Sequence, residues 1–183
     1  MDTTPAQRTL DLWRVPKRYQ ASSWDYLSTD WQYVREYRAA LAKGISVYLY
    51  GEYGFGKSCL AALALINAYE SKRAGFWCNA FDLAGDRLSD EEVDGLRLWD
   101  RIVKSPVLVV DDLFVSKDVK FNDTTIERLI RSRVENQLLT VVSSNVEPRA
   151  LESLYPALVR GMDGTYAWVK VDGKNFRREG LDG

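Results

Sequence analysis

The chain has 183 residues, of which 46% are hydrophobic and 28% charged, and its 25 basic and 26 acidic side chains give a formal net charge of −1. These values are typical of one globular domain, and the near-neutral charge argues against a surface that grips nucleic acid on every side. The sequence contains no histidine, which excludes Ser-His-Asp and Cys-His catalysis and two-histidine zinc sites. Any chemistry must therefore rest on carboxylates, lysine, arginine and the backbone.

Membrane insertion and export are not indicated by the sequence. The longest fully apolar run, Leu60 to Ile66, is about a third of the roughly 20 residues that span a bilayer. The first thirty residues contain no apolar core of a signal peptide. The two cysteines, Cys59 and Cys78, are predicted to be small core residues rather than a disulfide. We therefore expect a cytoplasmic protein without a membrane partner.

Helical and strand patterns alternate along the chain. The first predicted helix begins at a capping box of Thr29 and Gln32 and ends at Gly44. Further helices are predicted from Lys57 to Lys72 and, with another capping box at its start, from Thr124 to Glu135. The predicted strands are rich in β-branched or aromatic residues: Ile45 to Tyr50, Phe76 to Cys78, Pro106 to Val110, Leu138 to Val142 and Tyr166 to Val171. Such alternation predicts an α/β fold with a mainly parallel five-stranded sheet covered on both faces.

The turn after the first strand carries a phosphate-binding signature. Glycines there allow successive backbone N–H groups to surround phosphates, and the following helix adds its positive end. Lys57 would reach the β- and γ-phosphates, and the Ser58 hydroxyl would bind Mg²⁺. We include Cys59, the next residue, among the candidates for binding ATP or ADP. The motif G-x-x-x-x-G-K-[ST] is matched without exception by Gly51, Glu52, Tyr53, Gly54, Phe55, Gly56, Lys57 and Ser58.

A second buried strand ends in two carboxylates, Asp111 and Asp112. Ligands of parallel sheets bind at the carboxyl ends of the strands, so these acids are expected beside the phosphate loop. Asp111 would hold the magnesium through water, and Asp112 would orient and polarise the attacking water. The alternative is a pair of solvated acids at a strand-to-loop turn.

In this order, the motifs resemble the helicase-loader and transposition-ATPase branch of the AAA+ ATPases, which includes the DnaC-like and IstB-like proteins. The resemblance spans roughly Val15 to Arg177 and is more specific than the phosphate loop alone. Its further segments are Val15 to Tyr19, Asp111 to Leu113, Arg133, Thr140 to Asn145, Leu158 to Met162 and Gly173 to Arg177.

The resemblance implies a three-layer αβα P-loop NTPase fold in which the fourth strand lies between the first and the third. Asn145 would then be the sensor-1 residue, beside the lytic water or the γ-phosphate. Arg160 would be an arginine finger that reaches the nucleotide of a neighbouring subunit, and Tyr19 would lie near the adenine. The plainer alternatives stay open: an Asn that ends a strand, a surface Arg and a tyrosine that only packs.

We expect a single AAA+ domain, with residues 1–44 as an N-terminal extension and helix, 45–172 as the P-loop core and 173–183 as a tail. About fourteen residues precede Val15, where loaders of this family usually carry a helicase-gripping domain. The C-terminal helical lid of larger AAA+ proteins is not expected, and Pro156 stands where loaders often place another arginine.

The expected activity is ATP hydrolysis to ADP and phosphate, slow and stimulated by a partner or DNA. ATP-dependent self-association on or near single-stranded DNA would position a replicative DnaB-type helicase, and the compact chain suggests a phage or mobile element. The alternatives are an IstB-like transposition ATPase acting with a transposase on duplex DNA, a small P-loop kinase, and a P-loop ATP switch with little turnover.

Candidate DNA contacts are weaker, because each has a plainer explanation in core packing or a solvated helix face. The N-terminal quarter is rich in tryptophan and tyrosine, and residues 81–105 lie where related proteins insert elements that touch single-stranded DNA. The basic residues of the two candidate surfaces are Arg87, Arg97, Arg101 and Lys104 in one, and Lys117, Lys120, Arg128 and Arg131 in the other.

Overall fold

The computed structural model describes residues 4–113 and 120–172. The helices in these ranges are α1 (Pro5–Leu12), α2 (Gln32–Ala42), α3 (Lys57–Glu70), α4 (Leu83–Leu88), α5 (Leu98–Lys104), α6 (Lys120–Glu135), α7 (Pro148–Leu154) and α8 (Pro156–Met162), with 3₁₀ turns at Lys17–Tyr19 and Trp24–Tyr26. The strands are β1 (Ser46–Tyr50), β2 (Gly75–Asn79), β3 (Glu92–Val93), β4 (Leu96–Arg97), β5 (Val107–Leu113), β6 (Leu139–Ser144) and β7 (Tyr166–Lys170).

The main sheet has five strands in the order β2-β5-β6-β1-β7, and all four of its pairings are parallel. The predicted parallel sheet is confirmed, and so is the insertion of β6 between β1 and β5. The β3-β4 hairpin was not predicted, because each of its strands has only two residues and leaves no periodic pattern.

Alternate residues of the strands face opposite layers of helices. On β5, Val107 and Val109 pack in a cluster with α1, α2 and α3, whereas Leu108 and Val110 pack in a second cluster with α4 to α8. This is the pattern of a parallel sheet buried on both faces. The three layers bring the carboxyl ends of β1, β5 and β6 together at one end of the sheet.

The N-terminal segment runs along the outer edge of β2. The Trp13 carbonyl accepts a hydrogen bond of 2.8 Å from the Trp77 N–H, and the Tyr19 ring lies with its centroid 5.7 Å from that of Trp77. A Cβ atom on Gly75 would lie 2.6 Å from Leu65 and 3.1 Å from the Trp13 ring, so glycine is required for this close approach. The contacts hold Tyr19 against the sheet.

Neither predicted capping box forms at the start of its helix. The N-cap residue of α2 is Trp31, whose side chain makes no capping hydrogen bond, and the Arg35 side chain donates to the carbonyls of Thr29 and Asp30 at 2.9 and 2.6 Å. Helix α6 begins at Lys120, so Thr124 lies inside it and cannot cap it. Both errors concern helix starts, whereas each helix still buries an apolar face, with Val34 and Tyr37 on α2 and Ile126, Leu129 and Ile130 on α6.

Arg133 is fully buried between α5, α6 and β6. Its guanidinium donates to the Thr140 hydroxyl at 2.8 Å and to the carbonyls of Ile102, Val103 and Leu139 at 3.2, 2.9 and 2.8 Å. Burial lowers the pKa of Arg133 to about 10, and no ion pair within the described ranges includes it. Arg133 therefore fastens three elements together through neutral oxygen atoms.

Several expectations fall outside the described residues. These are Lys117, the Lys120 side chain, the Gly173 to Arg177 segment and the predicted tail at 173–183. Cys59 and Cys78 are both free thiols. Cys78 is a buried core residue as predicted, whereas Cys59 is only partly buried because it faces a cleft above the phosphate loop. Within the ranges that the structure describes, no helix combines the length and the apolar character needed to cross a membrane.

Candidate nucleotide-binding site

The phosphate loop joins β1 to α3 and is built on left-handed glycines. Gly51 has φ of 147°, and a Cβ atom there would lie 2.2 Å from the Val171 carbonyl oxygen, so a side chain has no room. The Lys57 side chain folds back over the loop, and its Nζ donates to the carbonyls of Gly51 and Glu52 at 2.8 and 2.7 Å. An ammonium group is thereby held where phosphate oxygens would bind.

A cleft of about 600 Å³ opens above this loop. Its lining combines the loop, the acidic end of β5 and the residue that follows β6, as the sequence predicted. The expected residues along it are Tyr19, Tyr53, Gly54, Phe55, Gly56, Lys57, Ser58, Cys59, Asp111, Asp112 and Asn145. Gly51 lies beneath the cleft rather than along it, where its carbonyl holds Lys57.

The two carboxylates at the end of β5 have different environments. Asp111 is only 5% exposed, and its carboxylate accepts a hydrogen bond from the Ser143 hydroxyl. Burial raises the pKa of Asp111, although the nearby hydroxyls of Ser143 and Ser58 act in the opposite direction. Asp112 is exposed, with a left-handed φ of 57°. One acid is thus held inside the site and the other is presented to solvent.

Asn145 lies just beyond β6, and both polar atoms of its amide are buried and have no hydrogen-bond partner among the residues that the structure describes. Buried polar groups normally have partners. Because Asn145 lines the cleft, its free donor and acceptor are available to a ligand there.

The donor set fits Mg²⁺, which prefers oxygen ligands and usually uses only one or two protein groups beside phosphates and water. Ser58 and Asp111 supply a hydroxyl and a carboxylate along the same cleft. The described residues contain no group of three or more His, Cys, Asp or Glu side chains that could hold a metal ion by themselves. The residues present therefore suit a magnesium ion that arrives with a nucleotide.

Solved structures with the same arrangement of elements include the DnaC helicase loader, with a TM-score of 0.72 and 22% identity over 86% of this chain and 100% of that one. DnaI matches with a TM-score of 0.74 and 19% identity over 88% and 94% of the two chains. AMPPCP-bound DnaA from Aquifex aeolicus matches with a TM-score of 0.63 and 18% identity over 81% of this chain and 50% of that one. The chain has the fold of an AAA+ ATPase domain. No family model and no curated protein sequence matches it.

Part of the N-terminal wall of the cleft falls in the predicted Val15 to Tyr19 segment. Arg18 lies there with its guanidinium carbon 4.6 Å from the centroid of the Tyr19 ring. Tyr26, Tyr33 and Ser22 continue the wall and were not selected as nucleotide-site residues, since no local motif marks them and they reach the cleft only through the packing of the N-terminal segment. Asn79 ends β2, pairs there with Asp111 and also lines the cleft. Like the two acids, it is a polar residue at the carboxyl end of a strand, and the sequence could have indicated it as a site residue for that reason.

Arg160 is exposed on α8 and does not line the cleft of its own chain. Its assignment as an arginine finger stays a prediction. In the 81–105 region, Arg97 pairs with Asp90 at 2.8 Å and Lys104 with Asp100 at 3.1 Å. These pairs engage two of the predicted DNA-contact residues locally, and DNA binding by this region also stays a prediction.

Proposed function

We propose that the domain binds Mg-ATP in this cleft and hydrolyses it to ADP and phosphate. The observation that carries the proposal is the meeting, along one cleft, of a lysine, a hydroxyl, two carboxylates and an unpartnered amide from α3, β5 and the end of β6. These five side chains are Lys57, Ser58, Asp111, Asp112 and Asn145.

Each group has a role that its environment suits. Lys57 would exchange its two loop carbonyls for phosphate oxygens. Ser58 and, through water, Asp111 would hold magnesium, which when bound neutralises phosphate charge. Asp112, the exposed acid, would orient the attacking water. Asn145 would use its free amide on that water or on the γ-phosphate.

We further propose that the domain is a cytoplasmic helicase loader that self-associates with ATP and positions a replicative DnaB-type helicase on single-stranded DNA. Support comes from the fold, which is shared with a protein described as the DnaC helicase loader and with DnaA, solved with AMPPCP and single-stranded DNA. The exposed position of Arg160 on α8 suits a residue that completes the site of a neighbouring copy.

The ATPase proposal is tested with two variants. Lys57→Ala is expected to lose most ATP affinity while it keeps its melting temperature, and Asp112→Asn to bind Mg-ATP but hydrolyse it at least about a hundredfold more slowly. Unchanged ATP affinity in folded Lys57→Ala would remove the basis of the proposal. Intact ATP affinity with no wild-type turnover would favour the ATP switch.

The partner is tested with the Asp112→Asn chain, which is expected to stay in the ATP-bound state. Mixed with ATP and a purified DnaB-type helicase, it should co-sediment with the helicase, whereas Lys57→Ala should not. An ATP-dependent complex with duplex DNA, without helicase binding, would contradict the loader and favour the IstB-like alternative.

A further inference from the structure

A β-bulge interrupts the pairing of β5 with β6 beside the cleft. The strands are in register on either side of it, but between those points two residues of β5, Asp111 and Asp112, lie opposite a single residue of β6, Ser143. Bulges re-aim side chains and are frequent next to active sites. This one contains both carboxylates of the candidate site.

The Ser143 hydroxyl bonds to both halves of the bulge. It donates to the Oδ1 atom of Asp111, and it accepts a 3.0 Å hydrogen bond from the N–H of Asp112. Ser143 is only 2% exposed. Asp112 has the left-handed backbone that non-glycine residues adopt at a cost, and its N–H belongs to the donors that a bulge removes from the regular ladder. One hydroxyl therefore holds the carboxylate of the first acid and the backbone of the second.

We propose that Ser143 is a positioning residue for ATP hydrolysis, which aims Asp111 at the magnesium and Asp112 at the attacking water through its two hydrogen bonds. The inference rests on the proposed ATPase function and adds to it a residue that touches neither phosphate nor water in the assigned roles. Groups that orient metal-binding carboxylates in this way commonly change metal affinity or activity by about 10- to 100-fold when they are removed.

Ser144 provides a matched control on the same strand. It is fully buried, and its hydroxyl also makes two hydrogen bonds, donating to the Leu113 carbonyl at 2.6 Å and accepting from the Val146 N–H at 3.0 Å. Neither bond involves an acid, and Ser144 does not line the cleft. Loss of its hydroxyl removes the same number of hydrogen bonds at the same end of β6, one of them to β5.

The experiment compares Ser143→Ala, Ser143→Thr and Ser144→Ala with the wild-type chain. Binding of a fluorescent ADP analogue is titrated with Mg²⁺, and kcat and KM for ATP are measured separately. Ser143→Ala is expected to need about tenfold more Mg²⁺ for half-maximal tight binding, with unchanged affinity in excess EDTA. Its kcat should fall about 10- to 100-fold with KM nearly constant. Ser143→Thr keeps the hydroxyl and should restore both, and Ser144→Ala should keep the wild-type Mg²⁺ dependence despite a lower unfolding stability.

The role of Ser143 would be overturned if Ser143→Ala kept the wild-type Mg²⁺ dependence and kcat. It would also be overturned if Ser144→Ala needed as much extra Mg²⁺ for half-maximal binding as Ser143→Ala does. Either result would leave the ATPase proposal standing. A wild-type chain without Mg²⁺-dependent nucleotide binding would overturn both. If Ser143→Ala does not fold, Ser143→Cys replaces it, because a thiol has similar size but is a weak hydrogen-bond donor. Identical Mg²⁺ dependence of the cysteine and threonine variants would then overturn the inference.

Discussion

Replacing Arg133 by lysine is expected to destabilise the domain more than replacing it by methionine. The guanidinium makes four hydrogen bonds in three directions, to one hydroxyl and three carbonyls. A lysine ammonium keeps the buried charge but has only three donors on one atom. It cannot reach the oxygen atoms of α5 and of β6 together, so at least two of the four bonds are lost.

The magnitude follows from these bonds. Hydrogen bonds to charged groups contribute about 1.5 to 3 kcal/mol each, so the loss of two of them in Arg133→Lys should lower the free energy of unfolding by about 3 to 6 kcal/mol. The methionine variant loses all four bonds but also removes the cost of burying a charge. That cost is reflected in Arg133 itself, because burial lowers its pKa to about 10. Because apolar replacements of buried charges are often tolerated, we expect Arg133→Met to lose about 1 to 3 kcal/mol.

Urea unfolding at pH 7 measures both losses. For a slope near 2 kcal/mol/M, the lysine variant should unfold at a midpoint about 2 M lower than the wild-type chain. Arg131, exposed two residues earlier on α6, gives the control, and Arg131→Lys should change stability by less than about 0.5 kcal/mol. A lysine variant within about 1 kcal/mol of wild type, or one more stable than the methionine variant, would refute the reasoning.

Three further outcomes are expected. ATP turnover per chain should rise with protein concentration, and a mixture of Asp112→Asn and Arg160→Ala chains should recover the activity that each variant lacks alone. If both variants fold and bind ATP but their mixture stays inactive, Arg160 is an ordinary surface residue. Burial raises the pKa of Tyr166 to about 12, so stability that is fully present below about pH 10 should be lost as the pH rises towards 12, and a flat urea midpoint across that range would contradict this. Gly51→Ala should cost about 3 kcal/mol or more and weaken ATP binding, because its Cβ atom meets backbone, whereas Gly85→Ala on α4 meets no atom within 4 Å and should not destabilise the chain.

The sheet and the floor of the cleft could be predicted because their signals are local. Each main strand is a short apolar run, and the phosphate loop and the two acids lie directly at strand ends. The N-terminal wall could be predicted only as far as Tyr19, since Tyr26 and Tyr33 reach the cleft through contacts with distant elements. The bulge at Asp111 and Asp112 was equally hidden, because register belongs to a pair of strands and neither strand alone encodes it.

The position of Trp13 along β2 has a consequence for solubility. An outer strand with unpaired N–H and C=O groups is a template on which a second chain can add a strand and start aggregation. Here the Trp77 N–H, in the middle of that strand, donates its hydrogen bond to the Trp13 carbonyl, and the Trp13 ring covers Gly75. A chain shortened past Trp13 would expose this strand together with the bare flank of Trp77. The segment that brings Tyr19 to the cleft would thus also hinder the addition of a second chain along β2.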